Sequence, residues 1–549
     1  MAWTIQFSPI TGELTTIAAS TWRFDGNSGT VLVSSGFPLR PGQVTSAKLG
    51  NVRVYVDGVE QAVAVDPLRG TFPDGSYRSI GIQFNYNLTN VVPVTSSVVI
   101  GTDARGTTDL AWTTVTYAIA RTKAVIAPTD PVHLCNTMVT LMPLTPATND
   151  AGPGPAWNTA FETAWNTAGI ADATNPGTAI YDHVNALLAY YCRTGTRSWY
   201  QYAWDWATAL AGDMATDLQT LAYTLPTSPT ASCTNNAIWN PEDIIGVNGS
   251  CGTMNEAYSM RHVTNAVSYW LTAWRQPIRA ANVYAGDSLW RAEDAGGYVP
   301  TRDNWISETH GMRFNAATVR LWPVLIGYLV ESTTPFETPS GSSVGTFLYP
   351  SWLPWTIDAL VYWAFTTTDY RDGLVGMRSA ADDTLGPGIF PNFQLPLIAH
   401  YLMCYYDNVL DDSRIPGLLK IIADYAITQM RASVSGEGGF PDSWVTPYAS
   451  TATVPSSGLD PWYMPQFASI FGWVYANTGD TTYSTWLDRC IEDANVNPSH
   501  LVMQTKLIGE IWGHLHMSYA YYRNGGTIRG IAGAHPTAIT TPTVHASLG

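Results

Sequence analysis

Short runs of Val, Ile, Thr and Tyr recur through the first 150 residues, at 30–33, 52–56, 62–65, 80–84 and 97–100, each bounded by turn-forming residues. Within 52–56 the apolar Val52, Val54 and Val56 alternate with Arg53 and Tyr55, the period of a half-buried strand. Asp57-Gly58 follows at once, the strongest short-range hairpin signal. Pro73-Asp74-Gly75 predicts a second tight turn. Strands roughly 10 residues apart, with no helical period between them, predict an antiparallel β-barrel or sandwich over residues 1–150.

Beyond Pro146 the period changes. Gly152-Pro153-Gly154-Pro155 punctuates the chain, and helical patterns follow. Segments 181–191, 395–406, 464–475 and 507–522 each end in an aromatic residue or pair and then a turn, as in Tyr190-Tyr191-Cys192-Arg193-Thr194-Gly195 and Tyr475-Ala476-Asn477-Thr478-Gly479-Asp480. The first three lead into second amphipathic segments at 198–210, 415–430 and 483–494. Weaker copies at 262–274 and 318–330 are followed by 277–292 and 352–366, and 157–168 supplies one more helix. Six first helices at a degenerate spacing of roughly 50–80 residues predict a closed (α/α)6 toroid over 151–524, with an open solenoid as the alternative. Residues 525–549, rich in Ala, Thr, Gly and Pro, read as an extended tail. The expected class is α+β multidomain: an N-terminal antiparallel β-barrel or sandwich followed by an (α/α)6 toroid.

Composition narrows what such a chain does. With 549 residues, 46% hydrophobic and 13% charged, it has material for large cores, which excludes disorder as the dominant state. The formal charge of −16 opposes nucleic-acid binding. No apolar run reaches the length of about 18 residues that membrane insertion requires. The opening MAWTIQFSPITGELTTI has neither a basic segment nor a long apolar run, so it does not read as a signal peptide. Six cysteines are too sparse for a disulfide scaffold; Cys233 and Cys251 flank one Asn/Gly-rich loop and are the candidate bridge, free buried thiols being the other reading. The 22 Trp, 29 Tyr and 15 Phe suit sugar recognition by ring stacking, or an aromatic helical core.

Two motifs carry a family resemblance. Phe37-Pro38-Leu39-Arg40-Pro41-Gly42 precedes the Val-rich strand and Asp57-Gly58, and Phe72-Pro73-Asp74-Gly75-Ser76-Tyr77-Arg78-Ser79-Ile80 follows it. This arrangement resembles the N-terminal β-barrel of exo-rhamnogalacturonan-lyase-like proteins, whose barrel leads into an (α/α)6 domain. The likeness covers the first 100 residues and, in the helices, only the repeat pattern. It implies a lyase acting on a uronate-containing chain, and no catalytic motif of the family accompanies it. The low lysine content, four against 23 arginines, gives the chain the texture of a bacteriophage tail or fibre component carrying a glycan-active module.

Three groups hold the candidate chemistry. Asn255, Tyr258 and His262 stand at i, i+3 and i+7, one helical face, with Glu256 and Arg261 alongside. Uronate elimination needs a base for the C5 proton, an acid for the leaving oxygen and a group neutralising the carboxylate, and these residue types suit it. A buried network bracing the helix uses the same residues. In the second group, Glu308, His310 and Arg313 could act as acid, base and carboxylate clamp. Helix capping by Glu308 with an ion pair to Arg313 is the competing reading. The third group is a Gly-rich stretch bearing Glu437, Asp442 and Trp444, followed later by Trp462 and Tyr463. Glu437 or Asp442 with Glu308 could form a glycosidase carboxyl pair, which needs a separation of about 5–5.5 Å for retention or about 6.5–9.5 Å for inversion. Trp444, Trp462 and Tyr463 are sugar-stacking candidates; a solvated surface turn is the alternative. Glu510 and His514 share a face, but no zinc, calcium, nucleotide or serine-hydrolase motif is present, so no metal or cofactor is expected.

The expectation is a carbohydrate-active protein that binds and cleaves a polysaccharide or cell-surface glycan, as lyase or glycoside hydrolase. Tyr258, His262, Glu308, His310 and Arg313 are its catalytic candidates, and Asn255, Arg261, Glu437, Asp442, Trp444, Trp462 and Tyr463 its substrate contacts. Its place would be the phage particle, as a homo-oligomer beside other virion proteins, or the extracellular space. The rival is a non-catalytic virion structural protein or host-glycan adhesin that uses the toroid as a scaffold.

Overall fold

The computed structural model describes residues 17–23, 29–68, 71–72, 74–88, 94–113, 124–137, 139–141, 144–149, 154–166, 183–204, 412, 414–429 and 464–496, parts of 396–406, and seven short strands between 335 and 460. The N-terminal part is one eight-stranded sheet. Its strands are β1 (Ile17–Arg23), β2 (Gly29–Pro38), β3 (Val52–Val56), β4 (Val59–Glu60), β5 (Ala64–Pro67), β6 (Ser79–Leu88), β7 (Val94–Ile100) and β8 (Ala124–Pro128), in the order β4-β3-β7-β1-β8-β2-β6-β5. Every pairing is antiparallel except that of β2 with β8.

Alternation decides which face each strand buries. Val52, Val54 and Val56 of β3, Val31, Val33 and Phe37 of β2, Ile80, Ile82 and Phe84 of β6, Val98 and Ile100 of β7 and Ile126 of β8 form one apolar cluster. Each fully buried side chain of this size contributes about 1.5–3 kcal/mol. Eight flat strands would set the two edges about 34 Å apart. Yet Glu60 and Ala64, on the opposite edge strands β4 and β5, are joined by residues 61–63 alone, a reach of at most about 14 Å. The sheet therefore curls around its apolar face.

Local sterics make the turns. Asp57 (φ 51°) and Gly58 (φ 77°) both take positive φ, the two-residue hairpin geometry matched to strand twist, and Tyr55 pairs with Glu60 across it. The two family-like motifs fold against each other. Leu39 N–H donates to Arg78 O at 2.9 Å and Tyr77 N–H to Val44 O at 2.8 Å. Gly42 N–H donates to Ser76 Oγ at 2.8 Å, and Asp74 Oδ1 accepts from both the N–H (2.9 Å) and the Oγ (2.6 Å) of Ser76. Buried Arg78 lies over the Phe72 ring, 4.6 Å from its centroid, and donates to Thr71 O.

The eight-stranded sheet ends at Pro128, and described residues between 131 and 149 contact the helices that follow. Helix α1 (Pro131–Leu134), opened by Asp130 Oδ1 accepting from Val132 N–H at 2.9 Å, packs on α3 (His183–Thr194). From α3, Tyr191 OH donates to Pro128 O at 2.6 Å and Arg193 Nε to Thr145 O at 3.1 Å. Between lies α2 (Gly154–Ala164), whose Phe161 meets Tyr190 and Trp199 at centroid distances of 4.8 and 5.5 Å.

The later helices are α4 (Ile415–Gln429), α5 (Met464–Thr478) and α6 (Thr481–Val496). α5 packs on both α4 and α6, and α6 also lies beside α2, more than 300 residues earlier in the chain. Two helix-to-helix connections share one device. Gly195 (φ 67°) donates to Tyr191 O at 2.7 Å, and Gly479 (φ 70°) to Tyr475 O at 2.8 Å. In each, the preceding threonine bonds back one turn (Thr194 Oγ1 to Tyr190 O, Thr478 Oγ1 to Val474 O) and accepts from the residue after the glycine, Thr196 or Asp480. A left-handed glycine ends the helix because it takes positive φ without the Cβ penalty.

Candidate functional site

Of the residues with expected chemistry, the structure describes the backbone of one, Trp444. Asn255, Tyr258, Arg261, His262, Glu308, His310, Arg313, Glu437, Asp442, Trp462 and Tyr463 lie outside the described residues, as do Glu510, His514, Cys233 and Cys251. Cys135, Cys192, Cys404 and Cys490 are buried free thiols.

Trp444 sits in a strand, Ser443–Val445, paired antiparallel with Ile389–Pro391 so that Trp444 stands opposite Phe390. The strand just before it, Gly438–Pro441, pairs on one side with Arg431–Ala432 and on the other with Leu459–Asp460, placing Phe440 opposite Asp460. The backbone thus brings the Gly-rich segment of the third group beside the segment that leads to Trp462 and Tyr463.

Two titratable clusters tie separate elements together. At the junction of sheet and helices, buried His133 bonds to Pro38 O through Nε2 at 3.0 Å. A carbonyl only accepts, so Nε2 carries the proton and Nδ1 is the bare nitrogen. Burial, seconded by the positive charge of Arg40, pushes His133 down to about 4, against the opposing pull of the Pro38 bond and Asp130. This imidazole is neutral at physiological pH. Between α4 and α6, Lys420 Nζ donates to Asp424 Oδ2 at 2.6 Å, and Tyr483 OH to Asp424 Oδ1 at 2.5 Å. The Lys420 ammonium lies 5.6 Å from the Tyr483 ring centroid. Burial and the bond to Asp424 push the Tyr483 phenol up to about 12 although Lys420 pulls it down. The phenol stays a donor at neutral pH and ties α6 to α4. Lys420 and Asp424 are an i, i+4 pair within α4, but Tyr483 and the Pro38 partner of His133 come from separate elements, which no periodicity signals.

Among the described residues no group of three or more His, Cys, Asp or Glu is placed to hold a metal ion, and no helix is long and apolar enough to cross a membrane. Compared with models of known protein families, with curated proteins and with solved structures, the chain matches none.

Proposed function

We propose that the chain is a carbohydrate-active protein in which an N-terminal β-barrel or sandwich precedes an (α/α)6 toroid that binds and cleaves a polysaccharide. The observation that carries the proposal is the recurrence of one helix-pair connection at Gly195 and Gly479, together with the contact of α6 with α2. Repeated helix pairs whose late members return to the first are what a closed ring of hairpins requires, and such rings hold their ligands in the cleft built by loops at one end. The pairing of Gly438–Pro441, just before the Trp444 strand, with Leu459–Asp460, just before Trp462, supports a loop cluster of this kind. The reaction is elimination on a uronate-containing chain or glycoside hydrolysis. Glu308, His310 and Arg313 with Tyr258 and His262 supply the reacting groups, and the remaining candidates grip the sugar. Carriage on a phage particle beside other virion proteins, or an extracellular location, belongs to the same proposal.

The test is incubation of the full chain with pectic, alginate-like, capsular and lipopolysaccharide glycans, reading ultraviolet absorbance of new unsaturated uronates and new reducing ends together. Both rising establishes a lyase; reducing ends alone establish a hydrolase. Neither rising, with binding to a glycan retained, overturns cleavage and leaves the scaffold or adhesin.

A further inference from the structure

The outer face of the curled sheet carries an exposed tryptophan that the helical candidates do not involve. Residues 110–113 run from Val63, just before β5, onto β6. Leu110 N–H donates to Val63 O at 3.2 Å, and the Gln83 carboxamide grips Thr113 at both ends, accepting from its N–H at 2.8 Å and donating to its carbonyl at 2.7 Å. Gln83 also donates to Ser34 Oγ at 3.0 Å, so the clamp is itself fixed to β2. This holds Trp112 with the six-membered end of its indole against Gly81, where any Cβ would collide with the ring. Gly81 stands opposite Gly36 of β2 and Asp66 of β5. Directly opposed residues of antiparallel strands project to the same face, so the Asp66 carboxylate rises beside the indole. Trp112 keeps 37% of its surface exposed. Among the described residues Asp66 has no hydrogen-bond or ion-pair partner, and partial burial holds its carboxyl above the usual carboxylate range.

We propose that Trp112 and Asp66 form a docking platform on the β-module for a neutral pyranose unit of a glycan. An indole clamped by main-chain hydrogen bonds offers an apolar ring face with little ordering cost, and its N–H is a donor. An unpartnered carboxylate at its edge accepts from sugar hydroxyls. The same carboxylate, on a chain of net charge −16, disfavours a uronate at this position. The ligand class is thereby distinct from the uronate chain considered for the helical part, and the platform stands independently of cleavage.

The test is affinity electrophoresis of the full chain through gels containing xyloglucan, galactan or mannan in turn, with a polygalacturonate gel for comparison. The native chain is expected to be retarded in at least one neutral gel. Trp112→Ala weakens that interaction about tenfold or more, the equivalent of one aromatic stacking contact. Asp66→Asn, a change on an exposed edge strand that keeps the fold, weakens it about threefold to tenfold, as loss of a charged acceptor does. Trp112→Tyr retains part of the retardation. No retardation in any neutral gel, or retardation unchanged by Trp112→Ala and Asp66→Asn, overturns the platform. So does a native oligomer on size exclusion that Trp112→Ala dissociates, which would make the exposed ring a protein interface. Retardation requires no turnover, so its failure and the failure of cleavage are read separately.

Discussion

The imidazole of His133 and the carbonyl of Pro38, 95 residues apart in the chain, are joined by a 3.0 Å hydrogen bond that links the first helix after the sheet to the end of β2. Pro38 ends β2 just before the loop whose Gly42 is clasped to Ser76, and the Phe37 ring lies 6.1 Å from the His133 ring. The two motifs of the β-module therefore build the seat on which the helical part begins, which is a structural use.

Burial of this imidazole makes stability depend on pH. The folded value of about 4 for His133 lies below the ordinary value of 6.5. Above 6.5 both states are neutral and nothing is lost. Between about 6.5 and about 4 the unfolded chain binds the proton and the folded chain does not, so stability falls as pH falls through that window. The loss is on the order of 3 kcal/mol. Thermal unfolding followed from pH 7 to pH 4 should show the decline, and His133→Gln should flatten it.

The two helix-ending glycines should respond differently to alanine. At Gly479 nothing stands within 4 Å of an added Cβ, so Gly479→Ala meets only the left-handed backbone penalty, about 1 kcal/mol. At Gly195 the Cβ would strike the Thr129 carbonyl, and that backbone is held by the junction. Gly195→Ala should cost about 3 kcal/mol or more. Denaturant midpoints of the two variants rank them; equal losses would refute the contact.

Tyr483→Phe removes the donor to Asp424 and should cost about 1–2 kcal/mol in chemical denaturation. Lys420→Met, at a half-exposed position, should change stability by less than about 1 kcal/mol. A larger effect of the lysine than of the tyrosine would reverse the assignment of the phenol as the tie between α6 and α4.

For the proposed cleavage, His310→Ala should lower turnover by about 10²–10⁴-fold, the range of a lost acid–base group, while thermal unfolding stays nearly unchanged. A large fall in stability with activity retained per folded molecule would mark His310 as structural.

Periodicity reaches only as far as contacts between neighbours in the chain. The Val52–Val56 alternation and the Asp57-Gly58 turn were legible because pleat and positive φ act over a few residues. The helix ends at Thr194-Gly195 and Thr478-Gly479 were legible for the same reason, each cap closing within one turn. Beyond the last strand of the sheet, Cys135 and Thr145 bond to Cys192 and Arg193 of α3, partners that no local pattern announces. Of the third group, the Gly-rich run was visible, but its pairing with Leu459–Asp460 was not.

What the sequence alone determined is therefore the inventory: five short strand runs before helices, the turns at Asp57-Gly58 and Asp74-Gly75, and the helix-pair connections. These follow from dihedral preferences and from apolar period. Tertiary structure alone decided which edge strands approach, that His133 meets Pro38, and that Trp112 rests on Gly81 beside Asp66. Such contacts join segments tens of residues apart. They arise only once burial of the common apolar face has curled the sheet and brought those segments together.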